Sequence, residues 1–212
     1  MQQTNTKLIP VIHVINTEQA MRNVQLCVDN GIDMVFLISH GKMNYVELME
    51  LADEVRYRFK HLWIGLNMLD LTTREALSLT IDTVDALWCD KLVDIDDVFY
   101  FRKFKGLFFG SLAFKYQPQP TDLISACELA KITVDVATTS GPGTGKPASL
   151  QKIKTLREGL GKHPLAIASG VDYDNVDGYL GLADYLMVAS SITDNNENLI
   201  LEKLLKLKNK IY

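Results

Sequence analysis

Four times along the chain an aspartate stands between two apolar residues at the head of an apolar run: Ile32-Asp33-Met34, Val84-Asp85-Ala86, Val134-Asp135-Val136 and Ala183-Asp184-Tyr185. The aspartates are spaced by 52, 50 and 49 residues, a length that holds two strand–helix units. A pair of such units repeated four times predicts a compact (β/α)8 barrel with eight parallel strands. An open doubly wound sheet has no reason to keep that rhythm through eight strands.

The runs between the repeats agree. Strands are expected at Ile9–Ile15, Met34–Ser39, Leu62–Leu66, Ala86–Cys89, Gly106–Leu112, Thr133–Thr138, Leu165–Ala168 and Tyr185–Ala189. Most are continuously apolar, as strands covered on both faces must be. Helical stripes lie between them, such as Tyr45, Leu48, Ala52, Val55, Phe59 and Leu150, Ile153, Leu156, Leu160. Thr72-Thr73-Arg74-Glu75 reads as a capping box, Asn16 as a helix cap and Pro147 as a first-turn residue. Gly159 and Gly161 are expected to end that helix, and 96–105 carries the faintest helical pattern. With no linker or low-complexity stretch, residues 1–212 read as one domain.

Charge and cysteine usage narrow the class. A net charge of −4 gives no basic footprint for nucleic acid or an anionic membrane. No apolar run approaches the roughly 18 residues of a membrane span. The polar, uncharged start at residues 1–6 is neither a signal nor a transit peptide. Cys27, Cys89 and Cys127 are scattered, without spacing for a disulfide framework or zinc, which points to a reducing cytoplasm and to no metal site. The lysines at 203, 206, 208 and 210 form the wet face of a docked helix.

In a barrel, chemistry gathers at the C-terminal strand ends, and conservation of stability at the other face. The four aspartates stand at strand starts, so they are expected to accept turn N–H bonds there. The opposite ends carry His13, His40, Asn67, Asp90 and Lys115. Asp90, His13 and Asn67 are the expected catalytic set: a carboxyl after an apolar strand, an imidazole and an orienting amide. His40 is a further acid/base candidate, while Lys115 is a Schiff-base candidate that Tyr116 and Gln117-Pro118 make read as part of a solvated turn.

Strands six, seven and eight end in Thr139-Ser140-Gly141, Ala168-Ser169-Gly170 and Ala189-Ser190-Ser191. Small residues let backbone N–H groups approach a phosphate, and a following helix start adds its dipole. The expected phosphate-binding residues are Gly141, Gly143, Thr144, Gly145, Ser169, Gly170, Ser190 and Ser191. The 141–147 loop is not a P-loop, because Pro147 follows Lys146 where Ser or Thr is needed. Asp135–Gly141 is similar to a phosphoribosyl-pyrophosphate loop, so a phosphoribosyltransferase stays open as an alternative.

Several segments together resemble one family. These are Pro10-Val11-Ile12-His13, Ile64-Gly65-Leu66-Asn67-Met68-Leu69, the Thr139–Gly141 and Thr144–Pro147 loop, Ala168-Ser169-Gly170-Val171, and Ala183 through Ser191. They are similar to the BtpA/SgcQ family of barrels over nearly the whole chain. The resemblance implies a barrel related to phosphate-binding enzymes, in a family with a member linked to photosystem I biogenesis. The chain departs from the family at Ala168, Ala189 and Asp90, and 93–105 does not match it. The combined expectation is a barrel that binds a phosphorylated small molecule, a sugar or ribosyl phosphate, as an isomerase, aldolase or phosphoribosyl-transfer enzyme. A non-catalytic assembly factor on the same scaffold is the alternative, and association of identical chains is compatible with either.

Overall fold

The computed structural model describes residues 5–91 and 93–212, so residues 1–4, part of the polar start, and Leu92 lie outside the described part. Strands and helices alternate: β1 (Lys7–Val14), α1 (Thr17–Asp29), β2 (Met34–Ser39), α2 (Tyr45–Arg58), β3 (Trp63–Asn67), α3 (Thr73–Ser78), β4 (Ala86–Cys89) and α4 (Ile95–Phe101). They continue with β5 (Leu107–Ser111), α5 (Leu123–Thr133), β6 (Val136–Thr139), α6 (Leu150–Leu160), β7 (Leu165–Ala168), β8 (Tyr185–Val188) and α7 (Leu201–Ile211). Each strand pairs in parallel with its neighbours, and β8 closes on β1 with Lys7 opposite Tyr185 and Pro10 opposite Val188. The (β/α)8 barrel predicted from the aspartate rhythm is present. Its economy comes from α3, α4 and the β7–β8 connection, which holds only a 3-10 turn at Val176–Gly178.

Two apolar layers explain the closure. Inside the barrel, the rings of Phe36, Trp63, Trp88 and Phe109 meet edge to face at centroid separations of 5.1–6.0 Å. A Cβ on Gly65 would overlap the Phe36 ring, so glycine there makes room for the largest interior side chain of β2. Outside, the opposite side chains of the strands pack against the helix stripes, with Leu48, Ala52, Val55, Ile153, Leu156 and Leu160 all buried. That alternation is why the strands read as unbroken apolar runs.

The aspartates occupy the N-terminal face and close a repeated clasp. Asp85 accepts from Ile64 N–H at 2.8 Å and Arg56 Nη2 at 2.6 Å. Asp135 accepts from Phe108 N–H at 2.7 Å and Arg102 Nη2 at 2.6 Å; Asp184 accepts from Leu165 N–H at 2.8 Å and Arg157 Nη2 at 2.7 Å. Each arginine also donates to backbone carbonyls of the same turn, such as Thr83, Gly106 and Leu182. The fourth quarter is different. Leu8 N–H donates to the Tyr212 hydroxyl at 3.1 Å, Lys208 Nζ donates to Asn30 O, and Asp33 is exposed.

Local expectations hold in part. Thr72 and Glu75 form the capping box, and Asn16 accepts from Gln19 N–H. β6 starts three residues later than predicted, because Thr133 is the last residue of α5 and Val134 N–H still bonds to Ala130 O. Pro147 lies outside a helix: α6 begins at Leu150 with Ser149 as its cap. Gly161 ends α6 at φ 60°, but Gly159 lies within it against the Cys127 side chain. The faint helix at 96–105 shrinks to Ile95–Phe101, which buries no residue.

Candidate active site at the C-terminal strand ends

A cavity of about 560 Å³ opens where the strands end. Its floor is apolar, with Val11, Ile38, Trp88 and Met187. A larger hollow of about 770 Å³ lies on the outer flank between α1 and α2, lined by Arg22, Glu54 and Arg58 rather than by strand ends. Convergent strand-end chemistry occurs only in the first of these two.

One wall comes from β1, β2 and the loop after β8. His13 Nδ1 lies 3.2 Å from Glu197 Oε2, and the His13 and His40 rings meet edge to face at 4.7 Å. Burial, then the neighbouring His13, pull the His40 pKa below its ordinary value. Glu197 is held with care. Its backbone is left-handed at φ 59°, and its carbonyl accepts from Gln19 Nε2 at 2.7 Å and Asn23 Nδ2 at 2.8 Å. Both amides come from α1 and are buried, so α1 fixes the β8 loop and the loop brings a carboxylate to His13. Sequence reading missed Glu197. It lies in a polar turn, Asp194 to Asn198, with no periodic signal, 184 positions from its partner.

The facing wall comes from β3, β4 and β5. Asp90 lines the cavity, and burial raises its carboxyl pKa; the Asn67 hydrogen bond and the Lys115 charge work the other way. Asn67 Nδ2 donates to Asp90 Oδ1 at 3.2 Å. At 1% exposure Asn67 lies beneath Asp90 and does not line the cavity, and its Oδ1 has no partner. Lys115 was expected to be a solvated turn residue. It is half-buried and lines the cavity beside Asp90.

The third corner comes from the loops after β6, β7 and β8. The predicted phosphate residues divide here. Gly141 is buried, and a Cβ on it or on Gly170 would overlap the Lys146–Pro147 backbone, so these glycines permit loop packing. Gly141 and Gly143 do not line the cavity, whereas Thr144, Gly145, Ser169, Gly170, Ser190 and Ser191 do. Two donors of the β6 loop are already used: Thr144 N–H bonds to the Tyr116 hydroxyl at 3.2 Å and Gly145 N–H to Ser169 Oγ at 3.0 Å. Among the described residues, no protein acceptor meets the N–H groups of Gly170, Val171, Ser190 and Ser191. Ser191 Oγ donates to Val171 O at 2.7 Å and ties those two loops together.

Two further expectations are corrected. No helix start supports this corner, because β7 leads into a 3-10 turn and α7 begins ten positions after Ser191. The phosphoribosyl-pyrophosphate reading needs Asp135 near Gly141. Asp135 precedes β6 and is clasped by Arg102 on the opposite face, with the whole strand between them.

No family model matches the sequence, and no curated protein is similar to it at a significant level. Solved structures are similar in fold. A phosphoribosyl anthranilate isomerase from Thermus thermophilus superposes with a TM-score of 0.71 at 16% identity, over 97% of this chain and 98% of that one. A mutant tryptophan synthase α-subunit from Pyrococcus furiosus gives 0.72 at 12% identity over 99% and 100%. A KDPG aldolase from Legionella pneumophila gives 0.69 at 12% identity over 97% and 94%. At such identities the likeness is one of fold. In addition, no described helix is long and apolar enough to cross a membrane.

Proposed function

We propose that this barrel is an enzyme that holds a phosphorylated small molecule at the ends of β7 and β8 and moves a proton on it, as an isomerase or lyase. One observation carries the reading: Gly170, Val171, Ser190 and Ser191, whose backbone N–H groups meet no protein acceptor among the described residues, line a corner of the cavity that also holds His13 and Asp90. Backbone donors without a protein partner are open to a ligand, and a phosphate brings several acceptor oxygens to them at once. Among similar structures is a phosphoribosyl anthranilate isomerase in complex with a reduced carboxyphenylamino-deoxyribulose 5-phosphate. Membership of the BtpA/SgcQ family belongs to the same proposal.

The facing walls divide the labour. With Nδ1–H turned to Glu197, His13 keeps the lone pair of Nε2 and serves as the base. Asp90, with its pKa raised by burial, holds its proton closer to neutrality and serves as the acid. The floor between them is apolar, which strengthens electrostatic interactions across it.

Thermal unfolding with glycerol phosphate tests the phosphate corner. Ligand at about 100 times its Kd adds about 2.7 kcal/mol, or roughly 5–10 °C in Tm for a chain of this size. Ser190→Asp, at an exposed position without side-chain bonds, should remove the shift. Gly143→Asp should leave most of it, because Gly143 does not line the cavity. The reverse result moves the corner to the β6 loop. No shift with glycerol phosphate or a panel of sugar phosphates would favour the non-catalytic assembly factor.

A further inference from the structure

The loop after β5 is held in an unusual shape. Ala113 (φ 49°) and Tyr116 (φ 61°) both occupy the left-handed region without being glycine. Such residues persist only where the surroundings over-determine them, and they gather at functional sites. Here the Ala113 carbonyl accepts from Lys152 Nζ and, at 3.4 Å, from Thr139 Oγ1. Lys115 N–H donates to Ser140 Oγ at 2.8 Å, and Gln119 Nε2 donates to Phe114 O at 2.8 Å. This bracing sends the Phe114 ring into the barrel against Trp88 and sets Lys115 in the cavity wall.

Other partly buried cations are paired: Arg56, Arg102 and Arg157 in the clasps, Lys152 on two carbonyls, Lys208 on Asn30 O. Lys115 Nζ is not. Among the described residues it has no hydrogen bond and no carboxylate within ion-pair distance, only the Phe114 ring at 5.6 Å. It lines the same cavity as Asp90 and His40, and its charge acts on both. A strained loop therefore presents an unpaired amine to a cavity that holds a protonatable carboxyl beside it.

We propose that Lys115 is the nucleophile of this cavity and takes an aldehyde or ketone as an imine, the carbonyl belonging to the phosphorylated substrate. The second clause rests on the phosphate reading above. The Nζ lone pair attacks the carbonyl carbon, and the C=O π pair moves to oxygen. The ammonium's own proton passes through Asp90 to that oxygen, giving the carbinolamine. Asp90 then takes a second proton from the carbinolamine nitrogen and gives it to the hydroxyl, which leaves as water while the freed nitrogen lone pair forms C=N. No oxidant or reductant is consumed, and the imine withdraws electrons from the adjacent carbon, where His13 can take a proton.

The test is reductive trapping of the intact protein. Incubation with dihydroxyacetone phosphate or with pyruvate, then cyanoborohydride, should give one adduct per chain by mass, mapped to Lys115. Lys115→Arg should lose the adduct yet keep the Tm shift with glycerol phosphate. The wild-type peptide map decides the site even where that variant fails to fold. No adduct with either carbonyl, or an adduct on Lys146 or Lys152 instead, overturns the proposal. A glycerol phosphate shift without an adduct sinks the imine and spares the phosphate corner. An adduct with pyruvate without any phosphate shift supports the nucleophile and sinks the phosphate reading.

Discussion

The two faces of this barrel treat polar groups in opposite ways. At the N-terminal face, Asp85, Asp135 and Asp184 each accept a strand N–H and an arginine, and the arginines spend their remaining donors on carbonyls. At the C-terminal face, donors and acceptors are left over among the described residues: four backbone N–H groups, the Lys115 amine and Asn67 Oδ1. A satisfied polar network rigidifies, whereas an unsatisfied one costs stability unless a ligand completes it. The contrast separates the part of the chain that holds the fold from the part available for chemistry.

The largest effect should come from opening a clasp. Asp184→Ala strands Arg157 and the Leu165 N–H, and should lower unfolding free energy by about 2–3 kcal/mol in urea denaturation. The phosphate-induced Tm shift should survive. Its loss would show that the faces are coupled, and an unchanged urea midpoint would remove the clasp's structural role.

Asp90→Asn should have the reverse sign at the other face. A carboxyl whose pKa is raised in the fold contributes stability that is present below its unfolded value, about 3.9, and lost as pH rises through the folded value. Burial raises Asp90 in this way, so its ionised form costs stability at neutral pH. The variant should therefore melt at or above the wild type near neutrality, with the difference vanishing in acid. A clear loss of Tm at neutral pH would make Asp90 a structural residue like Asp184.

The smallest effect belongs to the fourth quarter. Tyr212→Phe removes the acceptor of Leu8 N–H but strands no charge, and should cost about 1 kcal/mol by the same urea measurement. A loss as large as that of Asp184→Ala would mean that the hydroxyl is a full substitute for a clasp.

Legibility followed the same division. Asp85, Asp135 and Asp184 could be placed from sequence because their role repeats with the fold's own period, whereas Asp33 shares the spacing without the turn N–H bond; the arginine partners, in α2, in α6 and just after α4, lie 27–33 positions earlier and gave no signal. His13 and Asp90 could be nominated because each ends an apolar strand, and both line the cavity. The Gly-rich loop at 141–145 misled in emphasis. Its first glycine serves packing under Lys146–Pro147, while the free N–H groups lie one and two strands further on. Pattern alone does not distinguish a glycine that admits a ligand from one that admits the chain itself.

The amino-acid sequence by itself determined the barrel, its eight strands and the face on which the clasps and the cavity each lie, because apolar periodicity and a four-fold repeat are local and additive signals. Only the tertiary structure decided that Glu197 meets His13, that Asn67 lies beneath Asp90 and that Lys115 faces inward. Those relations depend on closure of the ring, which brings β8 against β1, and on a braced left-handed turn after β5. Both are products of many distant contacts acting together, and no short stretch of sequence encodes them.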